Sequence, residues 1–308
     1  MFRLVDTLIP VRSATVARPS RPVGKYAPAR RCALRRLAAV ILPLLLAAGC
    51  ARGGWVETHP DLAEQARLQP SSLVDQAAEQ TAGLQRLFGS YRLEAHRGVG
   101  SRSVDIVVMA EVPDRLSIEL LAPTGQTEAF LKSGATEVAL WIGEENRLYR
   151  GAAGEGAFAA ALGLDLSVRD VVSTLLGRLP GWTGVGSGQV EWDEQEQRIR
   201  VNTGAGTLGW LHPVTLRFDR MQLLGRGPMT EVLWPEWAEE PGIAPRVIEL
   251  EVPAEGIELR LRLASSWLAN PPLEATDFEV SVVPVGTVEL SLDVLAAEGG
   301  LLRRGFEQ

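Results

Sequence analysis

Cysteine, lysine and histidine are nearly missing from this chain. Its 308 residues hold two Cys (Cys32 and Cys50), two Lys (Lys25 and Lys132) and three His (His59, His96 and His212). Two cysteines build no disulfide framework, so burial must hold the fold together. The histidines lie far apart with no His-x-x-x-His or His-Glu pair, and no Cys-x-x-Cys occurs, so neither a zinc site nor any other metal site is expected. The shortage of lysine beside abundant arginine carries no functional weight. A long apolar run is also lacking. The stretch from Leu37 to Gly49 is about a dozen residues, short of the ~20 that span a bilayer as a helix.

What is present begins with the context of that short run. Arg30, Arg31, Arg35 and Arg36 precede it, and Leu46-Ala47-Ala48-Gly49-Cys50 closes it. A basic n-region, a short apolar h-region and small residues read as an export signal over residues 1–49. Residues 1–29 are either an unusually long n-region or the product of an upstream mis-called start, and the second is favoured. The Ala-Ala-Gly-Cys ending resembles a bacterial lipobox. That resemblance implies that Cys50 becomes the acylated first residue of the mature protein. Each buried methylene of an acyl chain contributes about 0.8 kcal/mol, and several chains on one residue make a stable anchor.

Removal of residues 1–49 takes away nine basic residues and one acidic, which moves the net charge from −7 to −15. So acidic a chain lacks the basic face that phosphate backbones require, and nucleic acid is excluded as a partner.

Residues 50–70 are polar with Gly53, Gly54, Pro60 and Pro70, and read as a lipidated tether. Residues 71–308 read as one domain. Leu73, Val74, Ala77, Leu84, Leu87 and Phe88 follow Ser71-Ser72 at helical spacing, predicting a helix to Gly89. Alternating apolar residues then predict strands at 104–112, 116–120, 127–131, 138–142 and near Leu148. Short turns between them demand antiparallel neighbours. Two helices are expected at 157–162 and 167–176, the second capped by Ser167 with Asp170. Strands resume at 190–192, 199–201 and 214–218. A Pro- and Trp-bearing loop is expected over 225–245, then strands at 248–252, 257–263, 278–282 and 288–292. The predicted class is mainly β (α+β): an open antiparallel half-barrel of about 11–13 strands under a helical lid. Its apolar concave face is expected from Ile106, Val108, Leu116, Ile118, Leu120, Leu140, Leu250, Leu259 and Leu261.

No catalytic constellation survives its spacing test, so no enzyme and no cofactor is expected. Gly204-Ala205-Gly206-Thr207-Leu208-Gly209 matches the dinucleotide fingerprint formally, yet it lies between antiparallel-type strands with Pro213 where a helix should run. Met229, Leu233, Trp234 and Trp237 cluster in the expected loop. They either touch a membrane or partner, where aromatic rings favour the interface, or fold back over the sheet.

Leu116-Ser117-Ile118-Glu119-Leu120-Leu121-Ala122-Pro123-Thr124-Gly125-Gln126-Thr127 resembles the strand–Pro-x-Gly–strand hairpin of the LolB outer-membrane lipoprotein receptors. The stretch from Leu164-Asp165-Leu166-Ser167 to Leu175-Leu176-Gly177-Arg178-Leu179-Pro180 resembles that family's helix ending in Leu-Gly-x-Pro. The resemblance covers most of residues 71–263 and implies a half-barrel around an apolar cavity. It implies a monomer that accepts acyl chains of lipoproteins from a periplasmic LolA-like carrier at the outer membrane. Ala51 rather than Asp follows Cys50, which favours that address. One departure stands out: the hairpin position that is large and apolar in the family is Thr124 here. A threonine there forfeits about 1–2 kcal/mol of membrane affinity.

Overall fold

A computed structural model describes residues 58–154, 156–182, 188–225, 227–238, 244–280 and 283–301. The export signal and Cys50 lie outside the described residues. The described strands form one long, open, curved sheet of 14 strands, above the expected range. Its first half is a meander of β1 (Arg86–Arg97), β2 (Gly100–Glu111), β3 (Arg115–Leu121), β4 (Thr127–Ser133), β5 (Glu137–Ile142) and β6 (Arg147–Ala152). The second half runs through β7 (Gln189–Asp193), β8 (Arg198–Asn202), β9 (Thr207–His212), β10 (Arg217–Leu223), β11 (Thr230–Trp237), β12 (Pro245–Val252) and β13 (Ile257–Ala269). Antiparallel pairing of β1 with β13 joins the two meanders into one surface.

The last strand, β14 (Val288–Ser291), corrects the all-antiparallel expectation: it pairs parallel to β6. A parallel neighbour needs a long crossover, and here the chain from β6 to β14 passes through the whole second meander first. Phe278 sits buried in a 3-10 turn (Ala275–Phe278) where a strand was expected, and Val282 falls outside the described residues.

Two further sequence readings shift. β9 emerges from the glycine-rich 204–209 segment, so that segment is the turn and start of a β-hairpin with no helix behind it. β11 fills much of the expected 225–245 loop. Pro235 has no N–H to donate, and the ladder between β11 and β12 slips by one residue between Leu233 and Glu236. A bulge at that point lets a strand carry proline and bends the sheet locally.

Helices flank the sheet. α1 (Pro60–Leu68) forms inside the expected tether, with proline at its first turn and Ala63 and Ala66 buried. α2 (Pro70–Ala82) ends earlier than the predicted helix, because Leu87 and Phe88 belong to β1 and pair there with β2 and β13. Both helices pack against β7, the last strand of the second meander, where Arg67 of α1 meets Glu194 at 3.2 Å in the turn that follows. α3 (Ala157–Leu162) and α4 (Val168–Leu175) lie where expected, and α5 (Leu292–Ala297) packs on α3 and β6.

α4 starts with a full capping box: Ser167 Oγ accepts from the Asp170 N–H at 3.1 Å, and Asp170 Oδ2 accepts from the Ser167 N–H at 2.8 Å. Ser167→Ala is expected to lower stability by about 1 kcal/mol, measured by chemical denaturation. An unchanged midpoint would show that packing alone holds the helix start.

Candidate functional site

The concave face owes its chemistry to strand register. Leu140 pairs with Leu131, Leu131 with Ile118, and Ile118 with Val108, a transverse apolar row across β5, β4, β3 and β2. Leu120 pairs with Ile106 on the next row. On the other meander Leu93 pairs with Leu261, Leu261 with Ile248, and Leu250 with Leu259. Side chains alternate along a strand, so these rows all face one way while Glu94, Glu249 and Arg260 between them face the other.

α3 and α4 roof these rows. Between roof and sheet lies a cavity of about 180 Å³ whose wall is hydrocarbon except for Thr174. Eight of the nine expected cavity residues line it: Ile106, Val108, Ile118, Leu120, Leu140, Leu250, Leu259 and Leu261. Leu116 does not. It is fully buried on β3 opposite Ala110 and Ser133, in core beyond the cavity.

The roof was not assigned from sequence. Phe158 and Leu162 from α3, Leu164 and Leu166 from the link, and Val171 and Leu175 from α4 complete the wall, as does Leu301 from the chain's end. The periodicity of α4 carried the signal, since Val168, Val172 and Leu175 recur at helical spacing on one face. Leu301 carried none, being one of two leucines after two glycines with no periodic pattern around it. Its approach depends on small residues. Gly163, in the left-handed conformation (φ 81°) after α3, lies so close to the chain end that a Cβ there would meet the Gly299 carbonyl oxygen at 2.5 Å. Tyr91, on the row of Ile106 and Leu263, is buried with no hydrogen-bond partner for its hydroxyl among the described residues, and burial pushes its pKa up.

The aromatic cluster settles away from the surface. Trp234, on β11, is 1% exposed and its indole N–H donates to the Thr174 carbonyl at 3.0 Å, fastening α4 to the sheet. It is therefore not available to a membrane. Trp237 is half-buried, 6.3 Å from the Trp234 ring, with the Arg217 guanidinium 5.3 Å from its own ring centre. Leu233 is half-buried, while Met229 ahead of the strand is exposed. Thr124 is exposed at the tip of the β3–β4 hairpin, where Gly125 (φ 82°) closes the turn.

The convex face is acidic near the centre of the sheet. Glu231, Glu251 and Glu258 stand opposite one another across β11, β12 and β13. Partial burial, then repulsion from Glu231, Glu258 and Glu249, pushes the Glu251 carboxyl above its ordinary range. A carboxyl with a raised pKa in the fold destabilises the protein when ionised, and the penalty fades as pH falls and the folded state takes up its proton first. Glu251→Gln is thus expected to stabilise the protein by under about 1 kcal/mol at pH 7, with the gain vanishing toward pH 4. Thermal melts at both pH values check this; a gain that grows on acidification would refute it.

His59 caps α1, His96 is on the convex side of β1 and His212 ends β9. Among the described residues no group of three or more His, Cys, Asp or Glu is placed to hold a metal ion, and no helix is long and apolar enough to cross a membrane.

No family model matches the chain, and no curated protein matches it in sequence. Among solved structures it is similar to a DUF1329 family protein from Desulfovibrio piger, with a TM-score of 0.49 and 13% identity over 70% of this chain and 97% of that one. It is similar to a domain described as outer membrane lipoprotein-sorting from Vibrio parahaemolyticus, with a TM-score of 0.49 and 12% identity over 73% of this chain and 97% of that one. A LolA superfamily protein from Nitrosomonas europaea aligns with a TM-score of 0.45 and 8% identity, over 68% of this chain and 97% of that one.

Proposed function

We propose that this chain is a lipid-anchored envelope protein that takes acyl chains into the cavity beneath α3 and α4, as a LolB-like acceptor of lipoproteins at the outer membrane. The observation that carries the reading is the hydrocarbon wall, which offers a ligand dispersion and dehydration and almost no hydrogen bond. A site of this kind selects methylene chains over anything that must keep its water. The lipobox ending at Cys50, the following Ala51 and the hairpin and helix motifs of the sequence support the remainder: a membrane tether, an outer-membrane address and a periplasmic LolA-like carrier as donor. The function is binding, not catalysis, and the binding unit is a monomer.

The volume shapes the mechanism. A cavity of about 180 Å³ is close to the ~150 Å³ of engineered voids that admit benzene. Pockets for drug-sized ligands run from roughly 300 to 1,000 Å³. The present arrangement therefore receives a short length of chain, and deeper entry requires Leu301 and the short helix α3 to give way.

A second reading, a non-transporting lipid sensor or scaffold of the same fold, is favoured by Thr124, which gives the hairpin tip no apolar side chain for membrane insertion. Photocrosslinkers placed at Ile118 or Leu259 separate the two in cells. An acceptor yields adducts with acylated lipoproteins, and its depletion strands those lipoproteins on their carrier. Unchanged lipoprotein sorting without adducts would sink the acceptor reading.

A further inference from the structure

We propose that the cleft between α2 and the outward side of α4 is a second ligand site, for an amphiphile with a carboxylate or phosphate head on an apolar body. It is separate from the acyl cavity, which faces Val171, Thr174 and Leu175; this cleft faces Arg169, Ser173 and Leu176 of the same helix. Its volume is about 470 Å³, inside the range of roughly 300–1,000 Å³ that small-molecule sites occupy.

The charge of the wall specifies the head. Arg169 and Arg178 line the cleft and, among the described residues, no Asp or Glu does. The Arg178 guanidinium is half-buried; one of its nitrogens donates to the carbonyl of Thr81 in the last turn of α2 and, at 2.6 Å, to that of Leu84 just past it. Among the described residues it has no carboxylate partner. Arginine keeps its charge in proteins, and a cation held partly away from water draws a counter-charge. Among the described residues its Nε–H is buried without an acceptor, and so is the indole N–H of Trp182 on the same wall. Buried donors are rarely left unpaired, and one oxyanion supplies acceptors to several at once. Among the described residues Arg169 is held only by an exposed, 3.6 Å contact to Asp114, an ion pair weak enough to be exchanged for a better anion. Clamping α2 accounts for only part of Arg178's donor capacity.

The rest of the wall specifies the body. Ala78, Ala82, Val112 and Pro113, with the ring of Trp182, surround the polar end with accessible apolar surface, backed by the buried Val74, Leu176, Leu179 and Phe218. A small inorganic anion would leave that surface wet, and a neutral or cationic amphiphile would leave the donors unpaired.

Calorimetric titration of the mature protein tests this with octyl phosphate, octanoate, inorganic phosphate and octyltrimethylammonium. Octyl phosphate or octanoate is expected to bind at least tenfold more tightly than inorganic phosphate or the cation, and the preferred head tells a phospholipid-like from a fatty-acid-like source. Arg178→Met also releases α2, so the decisive variants are Ala78→Trp, which fills the cleft from α2, and Arg169→Gln. Each, introduced beside Ile118→Trp so that the acyl cavity is closed to the octyl chain, is expected to weaken the binding that remains at least fivefold with the helical signal intact. Equal binding of the cation or of inorganic phosphate, or indifference to Ala78→Trp, would overturn the proposal. So would loss of all binding in Ile118→Trp, which would assign the amphiphile to the acyl cavity.

Discussion

Trp234→Ala is expected to cost about 3–5 kcal/mol of stability, the cost of emptying a fully buried aromatic site. For a domain of this size that is a fall in melting temperature on the order of 10 °C. The loss has two physical parts. Removing the ring opens a void between β11 and the roof, and it orphans the Thr174 carbonyl, which now accepts the indole N–H at 3.0 Å. Trp234→Phe separates them: it keeps most of the packing and loses the hydrogen bond, for about 1–3 kcal/mol. Because Thr174 lines the cavity, the Ala variant should also loosen α4 over the acyl site, seen as faster amide exchange in α4 than in β1 or β13. A loss under 1 kcal/mol would mean that β11 and α4 are not coupled through this side chain.

The fate of Trp234 shows where sequence reasoning stopped. Alternation is a local signal, and β2, β3, β4, β5 and β13 were readable because each holds apolar residues at every second position over one face. Ser167 and Asp170 made α4 equally readable. β11 was not, because Pro235 and a bulge interrupt its alternation and glycines precede it. β9 was hidden by Gly204, Gly206 and Gly209, the last of which is small because a side chain there would run into Leu179. The parallel pairing of β14 had no signal at all, since four residues cannot state their partner.

The candidate site divides in the same way. Its floor could be named because each inward residue sits in a regular ladder; Leu116 was misassigned because alternation tells which face a residue takes and not how far along the strand the roof extends. The roof contacts and Leu301 depend on how far helices and chain end reach over the sheet, which is tertiary information. The cleft at Arg178 was unreadable for a related reason. It exists only where the end of α2 meets the end of α4, nearly a hundred residues later in sequence.

Ile118→Trp should abolish acyl binding while leaving the fold intact, and it is the strongest test of the cavity itself. Ile118 is half-buried at the centre of the apolar row, between Val108 and Leu131, and projects into free volume rather than into packed core. An indole there fills space that is empty, so the usual 1–3 kcal/mol penalty of overpacking is largely avoided. The ligand meets the opposite outcome. Each methylene shut out forfeits about 0.8 kcal/mol, so excluding four costs about 3 kcal/mol, roughly 200-fold in Kd. Displacement of a fluorescent fatty acid, with Ala78→Trp present in parent and variant alike to close the α2–α4 cleft, measures this, and a thermal melt confirms that the variant stays folded. Thr124→Leu provides the contrast, because it alters the hairpin tip and not the cavity. It should leave acyl affinity unchanged and strengthen vesicle binding by about 1–2 kcal/mol. If Ile118→Trp binds fatty acid as the parent does, acyl chains do not enter beneath α3 and α4. If binding is lost there and Thr124→Leu speeds transfer of cargo to vesicles, the native threonine is what limits release.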